Sequence, residues 1–293
     1  MSNEVNETQS WLHKDGADDN QAKLDDKFQF VDEHIEYVSQ DGKKVGYKGV
    51  YLLPNLLTTA AMFCGFYAIL NAIGNQFEPA IIALFFAMLF DALDGRVARI
   101  MNAQSEFGKE YDSLSDLLSF GVAPAIIAYK FGLMGLGKIG WAISFLYLTC
   151  AALRLARFNT ATDGTPSAFF SGLASPAAAG FLISFIWLLD DRGINFHVEE
   201  HTLLLTLLAV VTTLAGILMI SNLLYYSFKN VNMKGRVSFV FLVLFVMLIV
   251  FVMMDPPLFL SALGLAYVVS GIAYTLYSRF FKTKTSTQET PIT

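Results

Sequence analysis

Residues 91–116 read DALDGRVARIMNAQSEFGKEYDSLSD and connect two long apolar runs of the chain. Four aspartates stand in this stretch, at the end of one run and at the start of the next: Asp91, Asp94, Asp112 and Asp116. Charged side chains beside hydrocarbon are expensive, so four carboxylates there need an occupant of opposite charge. A divalent metal with oxygen ligands is the natural occupant. We therefore expect a metal-dependent active site where the two runs meet.

The composition is that of a membrane protein. Of 293 residues, 55% are hydrophobic and 15% are charged, and the mean hydropathy is +0.51. Soluble domains are about one-quarter charged. Eight apolar blocks approach the ~20 residues that a membrane-spanning helix needs; they cover about 51–73, 79–101, 113–135, 139–158, 169–189, 203–226, 237–254 and 257–278. The blocks are continuous rather than alternating, which disfavours a β-barrel. The sequence predicts an all-α integral membrane protein, a polytopic bundle of about eight transmembrane helices.

The charges between the blocks predict the orientation of the bundle. Lys and Arg precede the first block, lie around the second, fourth and sixth connections and follow the last block, whereas most other connections are acidic or sparse. Lys130 and Lys138 in the third connection are a mixed signal. Cytoplasmic loops carry excess Lys and Arg. We therefore expect both termini and the opening of the acidic cluster on the cytoplasmic side of the membrane.

The first 45 residues differ from the rest of the chain. Residues 1–40 hold ten Asp or Glu against three Lys, which is typical of an acidic, solvated and partly disordered tail. A cleaved signal peptide is not expected, because no basic start leads into an apolar core. Cys64 and Cys150 lie inside apolar blocks and predict no disulfide. The four His stand away from the aspartates, so a zinc site is not expected either.

Helical spacing places the four aspartates on two faces that can meet. Asp91 and Asp94 are three residues apart, and Gly95 and Ala98 continue their stripe. On the next helix, Gly108, Asp112 and Asp116 follow one another at intervals of four residues and share one face. Two antiparallel helices can therefore present four carboxylates opposite small residues, which let a bulky ligand approach. The alternative is a set of interfacial carboxylates solvated by headgroups and paired with Arg96, Arg99 and Lys109.

These residues together resemble the full signature of the CDP-alcohol phosphotransferase family, D-x2-D-G-x2-A-R-x8-G-x3-D-x3-D, with every fixed position and spacing present from Asp91 to Asp116. The resemblance implies transfer of a phosphatidyl group from a CDP-linked lipid to an alcohol, with release of CMP. It implies a six-helix catalytic core over about 46–230, followed by two additional helices over 231–282 and a polar tail over 283–293.

By the family's pattern, the four aspartates hold divalent ions, two Mg²⁺ or Mn²⁺, and Asp116 is also the general base. The resemblance gives Gly95, Ala98 and Gly108 to the nucleotide and Arg99 to the diphosphate or the packing around it. The chemistry agrees, because paired metals neutralise a departing diphosphate group. Pro54, Asn55 and Thr58 resemble the family's PNxxT element near the cytidine pocket, although Pro-Asn at a helix start is often only a helix entry.

Arg154 and Arg157 close the fourth block and share one side of a helix. Alone, the pair is typical of positive-inside anchoring at the headgroups. The RLARFN segment, the GLASPAA segment at 172–178 and the segment 221–229 resemble the branch of the family that uses L-serine as acceptor; the branch usually has proline where Ala174 stands. A guanidinium is a bidentate donor for the serine carboxylate or a lipid phosphate.

We therefore expect an enzyme that takes CDP-diacylglycerol and L-serine as substrates, in the inner membrane of a bacterium, without nucleic acid as a partner. The resemblance implies a homodimer. Two alternatives stay open. One is the same chemistry with glycerol 3-phosphate, inositol phosphate or choline as acceptor. The other is a cation-coupled transporter, whose intramembrane acids would bind the cation, although the sequence lacks the repeated halves of transporter folds.

Overall fold

The structure, a computed structural model, describes residues 37–40, 43–46, 52–101, 105–160, 169–194, 202–226 and 239–285. The chain divides into two units, Met1–Val50 and Tyr51–Thr293. In the first unit, β1 (Tyr37–Gln40) and β2 (Lys43–Gly46) pair antiparallel, with Tyr37 opposite Gly46. The prediction of an acidic, partly disordered tail over 1–45 did not include these strands, and otherwise it falls outside the described residues.

The second unit is helical, and its helices follow the apolar blocks of the sequence. They are α1 (Leu52–Ile73), α2 (Phe77–Ile100), α3 (Glu106–Asp116), α4 (Ala123–Phe131), α5 (Lys138–Thr160), α6 (Ser175–Asp191), α7 (Thr202–Ile220), α8 (Phe239–Met254) and α9 (Pro256–Thr285). A 3₁₀ turn at Leu133–Leu136 separates α4 from α5. The predicted all-α polytopic class is confirmed.

Several of these helices are suited to cross a bilayer. Five segments are long and apolar enough by length and composition: Leu52–Ile73, Glu106–Phe131, Lys138–Thr160, Leu203–Ile220 and Pro256–Thr275. Large apolar side chains such as Phe63, Leu70 and Phe145 point outward from the bundle and are more than half exposed. A surface of this kind is stable against lipid rather than water. The protein is therefore an integral membrane protein, and the total of eight crossings stays a prediction.

Helices α3 and α4 form one continuous rod through a π-helical segment at Leu117–Val122. The backbone N–H of Ala123 bonds to the carbonyl of Leu118, five residues back. The wider turn begins directly after Asp116. Insertions of this kind in α-helices are rare and frequently occur at functional sites. The predicted apolar block began at residue 113, whereas the helix begins at Glu106 because the Ser105 side chain caps it by accepting from the Gly108 N–H at 2.9 Å.

The prediction of apolar helical blocks over 169–189 and 203–226 was wrong at one end of each. Phe169–Ser171 and Leu224–Tyr226 are short strands, β3 and β4, paired antiparallel with Phe170 opposite Tyr225. Gly172 follows β3 with φ +84°, and a Cβ there would lie 2.5 Å from the Met219 carbonyl oxygen. Only glycine tolerates that position. The two strands pair the segment before α6 with the segment after α7.

Candidate active site

Three of the four predicted aspartates form one cluster. Asp91 on α2 and Asp112 and Asp116 on α3 each offer a carboxylate oxygen, and these oxygens lie within 4.8 Å of one another. All three side chains are half-buried. The carboxyl groups of Asp91 and Asp116 are in hydrogen-bonding contact. Two carboxylates this close cannot both carry an unshared negative charge, so the cluster needs a proton or a cation between its members.

Asp94 lies beside this cluster and is held separately. It is 5% exposed, and its Oδ2 accepts a hydrogen bond from the Thr58 hydroxyl at 2.7 Å. Its charge interacts with those of Asp91, Asp112 and Asp116. The structure thus brings the four predicted carboxylates together, with Asp94 oriented by a side chain from α1.

The donor set fits a divalent ion. Carboxylate oxygens are the ligands that Mg²⁺ and Mn²⁺ prefer. Oδ1 of Asp112 is buried and accepts no hydrogen bond from the residues that the structure describes. A buried acceptor without a donor costs free energy, and a cation at the cluster would satisfy it. No His or Cys belongs to any such cluster in the described ranges.

A cavity of about 610 Å³ opens next to the aspartates. Its wall contains all seven residues that the signature and the PNxxT element gave to the CDP-lipid, together with two of the aspartates: Pro54, Asn55, Thr58, Asp94, Gly95, Ala98, Arg99, Gly108 and Asp112. The three helices α1, α2 and α3 supply these residues. The cavity therefore shares Asp94 and Asp112 with the carboxylate group and extends away from it along the small residues of α2 and α3.

The two glycines of the wall differ in what surrounds them. A Cβ added at Gly95 would have nothing within 4 Å, so this glycine leaves open space. A Cβ added at Gly108 would lie 3.0 Å from Ser105 Oγ and 3.5 Å from Asn55 Oδ1. Gly108 therefore lets α3 approach the start of α1, and Gly95 keeps the cavity wide.

Four residues of the cavity wall were missed by the sequence reasoning: Ser105, Glu106, Lys109 and Phe158. Ser105, Glu106 and Lys109 lie in the variable positions of the signature, and only their place on the first turns of α3 could have indicated them. Phe158 comes from α5, 49 residues after Lys109 in the chain. Its side chain is 58% exposed and borders the cavity.

The two arginines of α5 have different surroundings. The Arg154 guanidinium is half-buried and interacts electrostatically with Asp116. Arg157 is exposed, and its guanidinium donates a hydrogen bond to Asn222 Oδ1 at 3.0 Å. Arg154 therefore lies within electrostatic range of Asp116, and Arg157 is bonded to the segment that follows α7. Neither arginine lines the cavity.

Hydrogen bonds between helices fix the geometry of the site. The Ser115 hydroxyl donates to the Thr58 carbonyl at 3.1 Å, which joins α3 to α1. The Asn159 amide donates to Ser113 Oγ at 3.0 Å and to Glu110 Oε2 at 3.3 Å, which joins α5 to α3. Ser113 and Ser115 stand one position from Asp112 and Asp116, so these bonds fix α3 without using the aspartate carboxylates.

Comparisons with known proteins agree with this arrangement. The family model described as CDP-alcohol phosphatidyltransferase matches residues 51–215. The CDP-diacylglycerol--serine O-phosphatidyltransferase of Helicobacter pylori (strain ATCC 700392 / 26695) is 40% identical over 195 residues, which are 66% of this chain and 80% of that protein.

Two further relatives are similar to 74% and 45% of the chain. A protein of the same name from Mycobacterium leprae is 32% identical over 222 residues, 74% of this chain and 72% of its own. The archaetidylserine synthase of Methanothermobacter thermautotrophicus is 42% identical over 135 residues, 45% of this chain and 57% of its own. The chain is a membrane transferase and belongs to the CDP-alcohol phosphatidyltransferase family.

Proposed function

We propose that the protein transfers the phosphatidyl group of CDP-diacylglycerol to the hydroxyl of L-serine and releases CMP, as the name of its relatives from Helicobacter pylori and Mycobacterium leprae states for them. The observation that carries the proposal is a group of four carboxylates, two of which, Asp94 and Asp112, line a cavity whose wall holds residues of the family signature. The membrane helices supply the setting in which a lipid donor can reach the site.

The donor's nucleotide binds in the cavity. Gly95 and Ala98 leave the space along α2 that a cytidine and its diphosphate need, and Pro54, Asn55, Thr58 and Gly108 border it. Arg99 and Lys109 are the cationic groups of the cavity wall. A guanidinium or an ammonium there is attracted to the diphosphate.

The aspartate group holds the metal. Asp91, Asp94, Asp112 and Asp116 would bind one or two Mg²⁺ or Mn²⁺ ions, because hard oxygen ligands are all that the cluster offers. Bound ions of this kind neutralise the negative charge that develops on the departing CMP. The hydrogen bond from Thr58 fixes the rotamer of Asp94, and such support is what orients a carboxylate for a metal.

Asp116 acts as the general base. Its carboxylate takes the proton of the serine hydroxyl while the oxygen attacks the lipid-linked phosphorus. The new bond joins serine to that phosphorus, and the bond from the phosphorus to the oxygen that bridges the two phosphates breaks. The electron pair of the broken bond leaves with CMP. Because a serine hydroxyl is far less acidic than a carboxylic acid, proton removal accompanies the attack rather than preceding it.

Arg154 is the acceptor residue of this proposal. It is the arginine that lies beside Asp116, so it is placed to bind the carboxylate of serine while the hydroxyl faces the base. Arg157 bonds to Asn222 and supports the β3–β4 side of the site. The proposal therefore gives different roles to Arg154 and Arg157, which the sequence analysis had considered together.

The test is an acceptor competition. Purified protein is incubated with CDP-diacylglycerol, Mg²⁺ or Mn²⁺ and labelled L-serine, and in parallel with labelled glycerol 3-phosphate, inositol phosphate or choline. We expect metal-dependent CMP release and labelled lipid with L-serine as the preferred acceptor. CMP release with another preferred acceptor would agree with the family's chemistry but would overturn L-serine as the acceptor. Gradient-driven cation uptake into liposomes without CMP would support the transporter.

We also propose that the site faces the cytoplasm, in the inner membrane of a bacterium, and that the protein is a homodimer. The first proposal is supported by the distribution of Lys and Arg between the apolar blocks. It agrees with the chemistry, since CDP and serine are water-soluble groups that must enter from an aqueous compartment. The dimer is supported by the family resemblance alone.

A further inference from the structure

The last helix of the chain packs directly against the catalytic bundle. α9 lies outside residues 51–215, which match the family model. A Cβ at Gly264 would lie 3.0 Å from the ring of Phe181 on α6, and a Cβ at Gly271 would collide with the ring of Tyr225 on β4. Two glycines on one helix thus permit a close approach to two different elements. This packing fixes the position of Tyr267, which lies between them on α9.

Tyr267 is one member of a line of polar side chains that starts at the candidate base. Arg154 interacts electrostatically with Asp116 and with Tyr267. The rings of Tyr267 and Tyr225 are 5.6 Å apart between centroids and tilted by 38°. The line therefore connects α3 through α5 to α9 and β4, and none of the side chains of Arg154, Tyr225 and Tyr267 lines the nucleotide cavity.

The donors of this line are unused within the described part of the chain. The guanidinium of Arg154 forms no hydrogen bond or ion pair there, and neither does the hydroxyl of Tyr267. The Tyr225 side chain is 1% exposed, and its hydroxyl is buried without a partner. The unpaired buried hydroxyl of Tyr225 costs about 1–3 kcal/mol, whereas Arg154 and Tyr267 are half-buried. A cation near the base and two hydroxyls next to it are suited to an anionic group of the acceptor.

We propose that Tyr267, with Arg154, binds the carboxylate of the amino-acid acceptor, and that the Tyr225 hydroxyl supports Tyr267 as a second donor behind it. This inference rests on the proposed function and assigns part of its acceptor specificity to Tyr225 and Tyr267, which lie beyond residues 51–215, the region that matches the family model. Acceptors without a carboxylate leave these donors unpaired, and a site built to hydrogen-bond one group rejects analogues that lack it.

The experiment compares Tyr267→Phe with the wild type in KM for L-serine, KM for CDP-diacylglycerol and kcat. Serinol, which keeps the hydroxyl and the amine of serine but has no carboxylate, is the second acceptor. Tyr67→Phe on α1 is the matched control. It removes the same phenol hydroxyl from a tyrosine that is 46% exposed and is not part of the proposed acceptor site. KM does not depend on the fraction of protein that is folded, so partial unfolding cannot imitate the effect.

We expect Tyr267→Phe to raise the KM for L-serine at least about tenfold, the effect of a hydrogen bond to a charged group. KM for CDP-diacylglycerol and turnover of serinol should stay within twofold, and Tyr225→Phe should raise the serine KM by a smaller factor. An unchanged serine KM in Tyr267→Phe would overturn the inference, and an unchanged one in Tyr225→Phe alone would remove Tyr225 from it. A wild type that makes no lipid from serine would instead overturn the proposed function.

Discussion

Thr58 is the residue that connects the aspartates to the rest of the bundle. It is 4% exposed, its hydroxyl donates to Asp94, and its carbonyl accepts from Ser115 on α3. One residue of α1 therefore holds both aspartate-bearing helices. The PNxxT element supplies this residue as its final threonine, so its role is as much to orient a carboxylate as to border the nucleotide cavity.

Thr58→Val should weaken metal binding. Valine keeps the shape of threonine but leaves Asp94 Oδ2 without its 2.7 Å donor, and losing the partner that orients a ligand typically costs 10–100-fold in metal affinity. We expect a higher Mg²⁺ concentration for half-maximal activity, measured by titrating the metal at saturating substrates. Thr58→Ser keeps the hydroxyl and should titrate like the wild type. Equal titrations for all three proteins would exclude the orienting role.

Asp116→Asn should remove most of the activity while the protein stays folded. The amide is isosteric but cannot accept the proton of the serine hydroxyl, and general-base catalysis contributes about 10²–10⁴-fold. We expect kcat for CMP release to fall by at least about 10²-fold, because a metal ligand is also weakened. Asp191→Asn, an exposed aspartate at the end of α6, is the control. A variant of Asp116 with wild-type kcat would contradict its assignment as the base.

At the residue scale, the sequence predicted most residues of the cavity wall. It did not distinguish the surroundings of Arg154 from those of Arg157. The signature is local, since its residues lie on consecutive turns of two helices, and helical spacing alone places them on common faces. Arg154 and Arg157 show the limit. They are three residues apart and seemed equivalent, yet Arg157 bonds to Asn222, sixty-five residues away. Only the packing of α7 against α5 decides which arginine lies beside Asp116.

At the scale of elements, the rod of α3, the π-helical segment and α4 determines where the aspartates stand. One side chain of the rod bonds to the backbone of α1, and one side chain of α5 bonds to the backbone of the rod. The Ser119 hydroxyl donates to the Ala61 carbonyl at 3.2 Å, and the fully buried Tyr147 hydroxyl donates to the Phe120 carbonyl at 3.1 Å. These bonds hold the wider turn that begins after Asp116. This wider turn sets the orientation of Asp116, on α3, relative to α4.

Gly65→Ala should separate α1 from this turn. A Cβ at Gly65 would lie 2.5 Å from Ser119 Oγ and 3.0 Å from Ser119 Cα, and the Cα cannot move away as a flexible side chain can. Overpacking of this kind costs about 1–3 kcal/mol. We expect a lower melting temperature in detergent. Gly95→Ala adds the same methyl group to open space and should melt at or slightly above the wild type, because alanine is the better helix former. An equal loss in both variants would mean that the contact with Ser119 is not responsible.

The apolar blocks predicted the elements of the bundle but not their polar ends. α3 carries Glu106, Lys109 and Glu110 in its first turns, so hydropathy placed the start of the block at residue 113. The strands β3 and β4 are as apolar as the helices that they adjoin. Their pairing depends on the turn at Gly172 and on the end of α7, which no local pattern shows. The predicted helix boundaries were therefore wrong where capping or tertiary packing, rather than a local apolar pattern, decides the conformation.

At the scale of the whole molecule, the two ends of the bundle differ in chemistry. One end carries the aspartates, the cavity and the arginines of α5. Elsewhere in the described ranges, the last residues of α6 meet the junction of α8 and α9, where Arg192 forms an ion pair with Asp255. Asp255 also accepts from the Leu258 N–H at 3.1 Å at the start of α9. The helix that supplies Tyr267 is thus anchored at its first turn.

The aspartate group links metal binding to the stability of the whole bundle. Asp91 and Asp116 belong to different helices, so repulsion between their carboxylates opposes the packing of α2 against α3, and a bound cation reverses it. A ligand that binds only the folded state stabilises it by about 2.7 kcal/mol at one hundred times its Kd. We therefore expect millimolar Mg²⁺ or Mn²⁺ to raise the melting temperature and EDTA to remove the gain.

Asp112→Asn separates this effect from screening by salt. The substitution removes one negative charge and replaces one of the two carboxylate oxygens by an amide NH2 group. It should therefore melt higher than the wild type in EDTA, because repulsion falls, and gain less from the metal, because a ligand is lost. Asp191→Asn should keep the full gain, and choline chloride at equal ionic strength should give none to any protein. A metal-induced rise as large in Asp112→Asn as in the wild type would place the ion elsewhere.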